Sequence, residues 1–151
     1  MDPILDRPIK LTIHSCPGQL PVVRAALQRV CELVGFGDEA AGAIVLSVDE
    51  ALTNIIKHAY QGAIDRTIEI TLSAIGAERR TEALQVELRD FGRYVPREQI
   101  RSRDLDDVRP GGLGVHIIAE CMDCVDYAPA EGGGTLLTLI KKLPARQEAS
   151  K

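Results

Sequence analysis

The chain has 151 residues, 45% of them hydrophobic and 26% charged, a balance that fits one globular domain burying roughly 70% of the surface its unfolded form exposes. Aromatic residues make up 3% and Trp is absent, so the core has to be built from Val, Ile, Leu and Ala. A net charge of −4 gives no electrostatic reason to bind nucleic acid or an anionic membrane surface.

The first eight residues, Met1 to Pro8, lack the basic and apolar regions of a signal peptide, and no apolar run approaches the roughly 18 residues of a spanning helix. Cys16, Cys31, Cys121 and Cys124 therefore read as reduced thiols, and the cytoplasm is the expected compartment.

Ile9 to His14 alternates apolar and polar residues, which predicts a half-buried strand, and Pro17-Gly18 ends it. From about Leu20 to Val34, apolar residues recur at three- and four-residue spacing, the mark of an amphipathic helix closed by Gly35. Asp38 is placed to N-cap a second helix running from about Glu39 to Tyr60. Two alternating strands follow, Thr67–Leu72 and Leu84–Asp90, with the polar stretch from Gly76 to Glu82 as their hairpin loop.

From Gly92 to Gly112 periodicity is lost. Five arginines and four acids balance one another there, so a functional or mobile loop is expected rather than a nucleic-acid patch. A third helix is predicted over about Leu113 to Met122, then a hairpin of Cys124–Tyr127 and Thr135–Ile140 around Gly132-Gly133-Gly134. This order predicts an α/β fold of the α+β sandwich kind, a mixed, mostly antiparallel sheet with helices packed on one face. Residues 8–143 form the expected single domain, flanked by short tails over 1–7 and 144–151.

Four features carry chemistry. Leu46, Glu50, Asn54 and His58 are four apart and so share one line on the second helix; polar members of such a line are costly if buried without partners, although a solvated face gives the same pattern. Asp90 ends a strand and is followed by Gly92, so a carboxylate acceptor stands beside backbone that a ligand can approach closely, or the pair marks an ordinary turn. Gly111-Gly112-Leu113-Gly114 precedes a helix whose bare N–H groups favour an anion. Gly134-Thr135 enters the last strand and is weak by itself.

Taken in order, these features resemble the GHKL (Bergerat-fold) ATPases. The stretch Glu50-Ala51-Leu52-Thr53-Asn54-Ile55-Ile56-Lys57-His58-Ala59-Tyr60 looks like their N box, Asp90-Phe91-Gly92 like their G1 box, and Gly111-Gly112-Leu113-Gly114 like their G2 box. The resemblance covers roughly residues 8–143. Within that superfamily, Asn54 to Tyr60 and Cys121 to Val125 look most like the anti-sigma-factor serine/threonine kinases. One departure is that Gly92 is followed by Arg93-Tyr94-Val95-Pro96, where relatives often carry a second glycine or an early proline.

The resemblance implies ATP and Mg²⁺ as cofactors. Asn54 would ligate Mg²⁺, and Glu50 would be the general base toward a protein serine. Asp90 would accept from the adenine amino group beside Gly92. Gly112 and Gly114 would hold phosphates, and Thr135 would support the adenine side. His58 and Arg109 are plausible at the pocket edge. The implied partners are a small anti-sigma-factor antagonist as substrate, a sigma factor as a further partner, and a second copy of the chain in a homodimer. The alternative is an ATP-binding regulatory module with little or no phosphotransfer. The tripeptide Asp90-Phe91-Gly92 lacks the other signatures of eukaryotic-type kinases, no P-loop pattern exists, and Cys121-x-x-Cys124 has no second cysteine pair to complete a zinc site.

Overall fold

The computed structural model describes residues 5–77, 80–94 and 114–144. Five strands form one sheet: β1 (Ile9–His14), β2 (Thr67–Ala77), β3 (Arg80–Asp90), β4 (Cys124–Pro129) and β5 (Thr135–Lys142). Their order is β1-β2-β3-β5-β4, and every pairing among the described residues is antiparallel. The helices are α1 (Leu20–Val34), α2 (Asp38–Asn54) and α3 (Gly114–Cys121).

Alternation along the strands decides which face is covered. Ile70 pairs with Leu88 and Leu88 with Leu137, while Leu72 pairs with Val86 and Val86 with Leu139. All six are buried, so two cross-strand rows of aliphatic side chains point the same way. Val23, Leu27, Val30 and Val34 of α1, with Ile44, Val48 and Leu52 of α2, join them in a single cluster. Burying each such side chain contributes about 1.5–3 kcal/mol. Thr12, Glu69 and Arg89, which face one another on adjacent strands, occupy the opposite face of the sheet.

Three local expectations change. Gly37, not Asp38, is the N-cap of α2; Asp38 and Glu39 sit in the first turn, where their charge complements the helix dipole. The stretch from Gly76 to Glu82 is mostly strand, with Gly76 opposite Thr81 and Ala77 opposite Arg80 after a register shift at Ile75/Gly76. Polarity misled there because that end of the hairpin is exposed, at Ile75, Gly76, Arg80 and Glu82, and needs no apolar face. Residues 78 and 79 fall outside the described residues. The second helix is α-helical only to Asn54; Ile55–Ala59 is a π-helical turn, in which the Tyr60 amide donates to the Ile55 carbonyl at 3.0 Å.

After the π-turn the chain must reverse into β2. Gln61 takes φ 50° and Gly62 φ 84°, and the Gly62 amide reaches back to the Ile56 carbonyl at 2.7 Å. Ser15, fully buried at the end of β1, ties down this reversal. Its hydroxyl donates to the Ala63 carbonyl and accepts the Arg66 amide at 3.0 Å. Ser15→Ala leaves both backbone groups without that partner and should cost about 1–3 kcal/mol. Urea denaturation checks this; a loss below a few tenths of a kcal/mol would show that water replaces the hydroxyl.

Candidate nucleotide site

The line Leu46, Glu50, Asn54 descends from solvent into the molecule, and His58, in the π-turn, is half-buried. Leu46 is 44% exposed, Glu50 half-buried and Asn54 6% exposed. Asn54 and His58 reach a narrow cavity of 30 Å³ between the end of α2, the π-turn and the ends of β3 and β5. Asp90, Thr135, Tyr127 and Leu137 line its other walls. Three residues singled out from sequence, Asn54, Asp90 and Thr135, are therefore brought together from elements far apart in the chain.

Asp90 is 2% exposed. Its Oδ1 accepts the Gly92 amide at 3.1 Å and the Thr135 amide at 3.3 Å. A carboxylate has about four lone-pair sites, so Oδ2 retains acceptor capacity for a ligand. Burial pushes the Asp90 carboxyl above its ordinary range, opposed by the two amides and by the nearby Arg89 charge.

Backbone packs tightly around this group. A Cβ at Gly92 would lie 2.5 Å from the Ala59 carbonyl oxygen. At Gly134, which has φ 84°, a Cβ would lie 2.2 Å from the Asp90 carbonyl oxygen. Both positions need glycine because main chain occupies the place of a side chain. Arg89 braces the same strand end from the opposite face; its Nη2 donates to the Glu131 carbonyl at 2.9 Å, and its guanidinium lies 4.5 Å from the Phe91 ring centre.

The Nδ2 of Asn54 is buried and has no hydrogen-bond partner among the described residues. A primary amide left in that state costs free energy that a bound polar ligand would recover. No group of three or more His, Cys, Asp or Glu that could hold a metal occurs among the described residues. The one amide oxygen offered by Asn54 suits Mg²⁺ arriving with phosphates and water, and does not suit a metal caged by protein alone.

Glu50 stands one turn before Asn54 on α2 and does not line the cavity. Burial and then the adjacent Asp49 raise its pKa, while Lys57 opposes them. Asp49 is itself paired with Arg24 of α1 at 2.7 Å. Of the expected phosphate-binding glycines, Gly114 is the first residue of α3, whereas Gly112 and the rest of residues 95–113, Arg109 among them, lie outside the described residues. Tyr127 lines the cavity without having been singled out from sequence; as one of six residues in a short strand with an uneven burial pattern, it carried no distinguishing signal. A larger open groove of 680 Å³ shares Ala59 with the cavity but contains none of Asn54, Asp90 or Thr135.

The family model for the histidine kinase-like ATPase domain matches residues 13–141. The chain belongs to this family. The match takes in β2, β3 and β4, all of β5 but Lys142, and the last two residues of β1, so the histidine kinase-like ATPase domain contains every element around the cavity. Serine-protein kinase RsbW of Listeria monocytogenes serotype 4a (strain HCC23) is 29% identical over 140 residues, covering 86% of this chain and 85% of the relative. Serine-protein kinase RsbW of Bacillus subtilis (strain 168) is 25% identical over 125 residues, covering 76% and 74%. These relatives agree with the resemblance to the anti-sigma-factor serine/threonine kinases.

Two solved structures share the fold of this ATPase domain. One holds the RsbU and RsbW domains of a Mycobacterium tuberculosis protein, with TM-score 0.64 and 19% identity over 93% of this chain and 34% of that one. The other is the SiaB–SiaC complex of Pseudomonas aeruginosa, with TM-score 0.57 and 12% identity over 89% of each chain.

The buried carboxylate has a consequence for stability. A carboxyl whose pKa is raised by folding opposes folding once ionised, and that opposition grows as pH rises from below the ordinary value of 3.8 through the raised one. Asp90→Asn removes this ionisation while keeping an oxygen for the two amides. The ligand-free variant should therefore match or exceed wild-type stability at pH 7.5, with the gap narrowing toward pH 4, as read by urea denaturation at both values. A variant less stable than wild type at pH 7.5 would contradict the assignment of an uncompensated buried charge.

Proposed function

We propose that this chain is an ATP-dependent serine/threonine protein kinase of the anti-sigma-factor type, with residues 8–143 as its single ATP-binding unit. One observation carries the reading: a buried, amide-held Asp90 and a buried Asn54 with an unsatisfied amide converge on one cavity, in a chain of the histidine kinase-like ATPase family. Asp90 would accept the adenine amino group, with Gly92 and Thr135 presenting backbone beside the ring. Asn54 would hold Mg²⁺, which neutralises charge on the phosphates, while Gly112 and Gly114 would place phosphates at the start of α3.

Glu50 is the proposed general base. A carboxylate of raised pKa is a better proton acceptor at neutral pH than a solvated one. It would take the proton of a substrate serine while that oxygen bonds to the γ-phosphorus and the bond to the ADP oxygen breaks. The names of the relatives support serine as the acceptor. The substrate is proposed to be a small anti-sigma-factor antagonist, with a sigma factor as the competing partner and transcription as the regulated process. The homodimer expected from the resemblance belongs to the same proposal. No helix among the described residues is long and apolar enough to cross a membrane, which supports the proposed cytoplasmic setting.

A second reading, ATP as a structural ligand of a regulatory module, uses the same cavity, since a nucleotide held between α2, the π-turn and the strand ends would favour one arrangement of the surface around it. Glu50→Gln separates the two. With radiolabelled ATP and extract of the native cells, wild type should label one small protein on serine, and Glu50→Gln should lose at least about 10²-fold of that rate while binding ATP unchanged. ATP binding by both proteins with no labelled serine from either would favour the regulatory module.

A further inference from the structure

Tyr60 lies at the exit of the π-turn, 8% exposed, and its hydroxyl bridges β2 and β3 where their pairing ends. It donates to the Thr67 carbonyl at the start of β2 and accepts the Phe91 amide at 2.7 Å at the end of β3. Ile68 is the first residue of β2 to pair with β3, opposite Asp90, the last residue of β3. Beyond that pair the sheet ladder stops, and the Tyr60 hydroxyl takes the place of the next rung. Its ring also lies beneath Gly92: a Cβ there would come 3.1 Å from Tyr60 Cδ1 and 2.5 Å from the Ala59 carbonyl.

The residues on either side of Phe91 are Asp90 and Gly92, the two proposed to meet adenine. A side chain that holds the Phe91 amide fixes the Asp90–Phe91 peptide plane, the unit that joins Asp90 to the residue whose next amide, that of Gly92, closes back on Asp90 Oδ1. The π-turn makes this possible. Its wider winding delays the chain by about one residue relative to an α-helix, which carries Ala59 onto Gly92 and Tyr60 onto the strand ends.

We infer that Tyr60 is a positioning residue for base recognition: without touching the nucleotide, its hydroxyl sets the Asp90–Gly92 segment in the register that discriminates the adenine amino group. The inference rests on Asp90 being the adenine acceptor, and its test separates the two. Binding of ATP is compared with binding of purine riboside triphosphate, which lacks the 6-amino group, for wild type, Asp90→Asn and Tyr60→Phe. Wild type should prefer ATP, and Asp90→Asn should lose the preference. Tyr60→Phe should reduce the preference by roughly tenfold, the size of one hydrogen bond to a charged acceptor, with affinity for the analogue unchanged.

Equal weakening of both nucleotides, or an unchanged ratio, in a folded Tyr60→Phe would overturn the inference and leave the Asp90 assignment standing. Absence of any preference in wild type would overturn both. A measurement on wild type alone covers a variant that fails to fold. Saturating ATP should slow hydrogen exchange at the Phe91 amide more than the analogue does, because coupling between two interactions is reciprocal. Equal protection by both ligands would count against Tyr60.

Discussion

The arrangement depends on a carboxylate held where water cannot reach it. Asp90 closes β3 at 2% exposure, and among the described residues its hydrogen bonds come from two backbone amides. Such a group raises the free energy of the empty protein, and its surroundings are built to tolerate it. Glycine at 92 and 134 lets main chain approach from two directions, and β5 must enter the sheet at Thr135 for its amide to arrive. The antiparallel pairing of Arg89 with Leu136 sets that entry point.

The second constraint comes from the helix opposite. In α2 the regular four-residue repeat delivers Glu50 and Asn54 on one line, half-buried and then buried. Had the α-helix continued, the same geometry would have governed residues 55–59. Instead the winding loosens at the point where the helix meets the strand ends, and the segment brings a backbone carbonyl, that of Ala59, against Gly92 while His58 still lines the cavity. Irregular winding beside a proposed ligand site is a common association, since it re-aims groups that a straight helix would misplace.

Much of this was legible in the chain itself, for definable reasons. β1 and α1 were read with their observed limits because alternation and three-to-four spacing are undiluted there and glycine or proline follows at once. Asn54, Asp90 and Thr135 could be associated in advance only through the resemblance to a family, since nothing local relates residues separated by 36 and 45 positions that the sheet then joins. The π-turn left no sign: Ile55-Ile56-Lys57-His58-Ala59 is as compatible with an α-helix, and the deviation follows from tertiary contacts at Gly92 and Gly62. Tyr60 read as the end of a helix, whereas its hydroxyl serves two strands. Polarity at Gly76 to Glu82 suggested a loop because pattern cannot separate a loop from a hairpin end that leaves the core.

The central claim is that the cavity among Asn54, Asp90 and Thr135, and not the larger groove beyond Ala59, receives nucleotide. Amide resonances followed by NMR during titration with ATP and Mg²⁺ address it directly. The account predicts saturable shifts at Thr135, Leu137 and the Asn54 side-chain amide, with Asp65 and Glu69 in the groove unmoved. Shifts confined to the groove, or none that saturate, would contradict it.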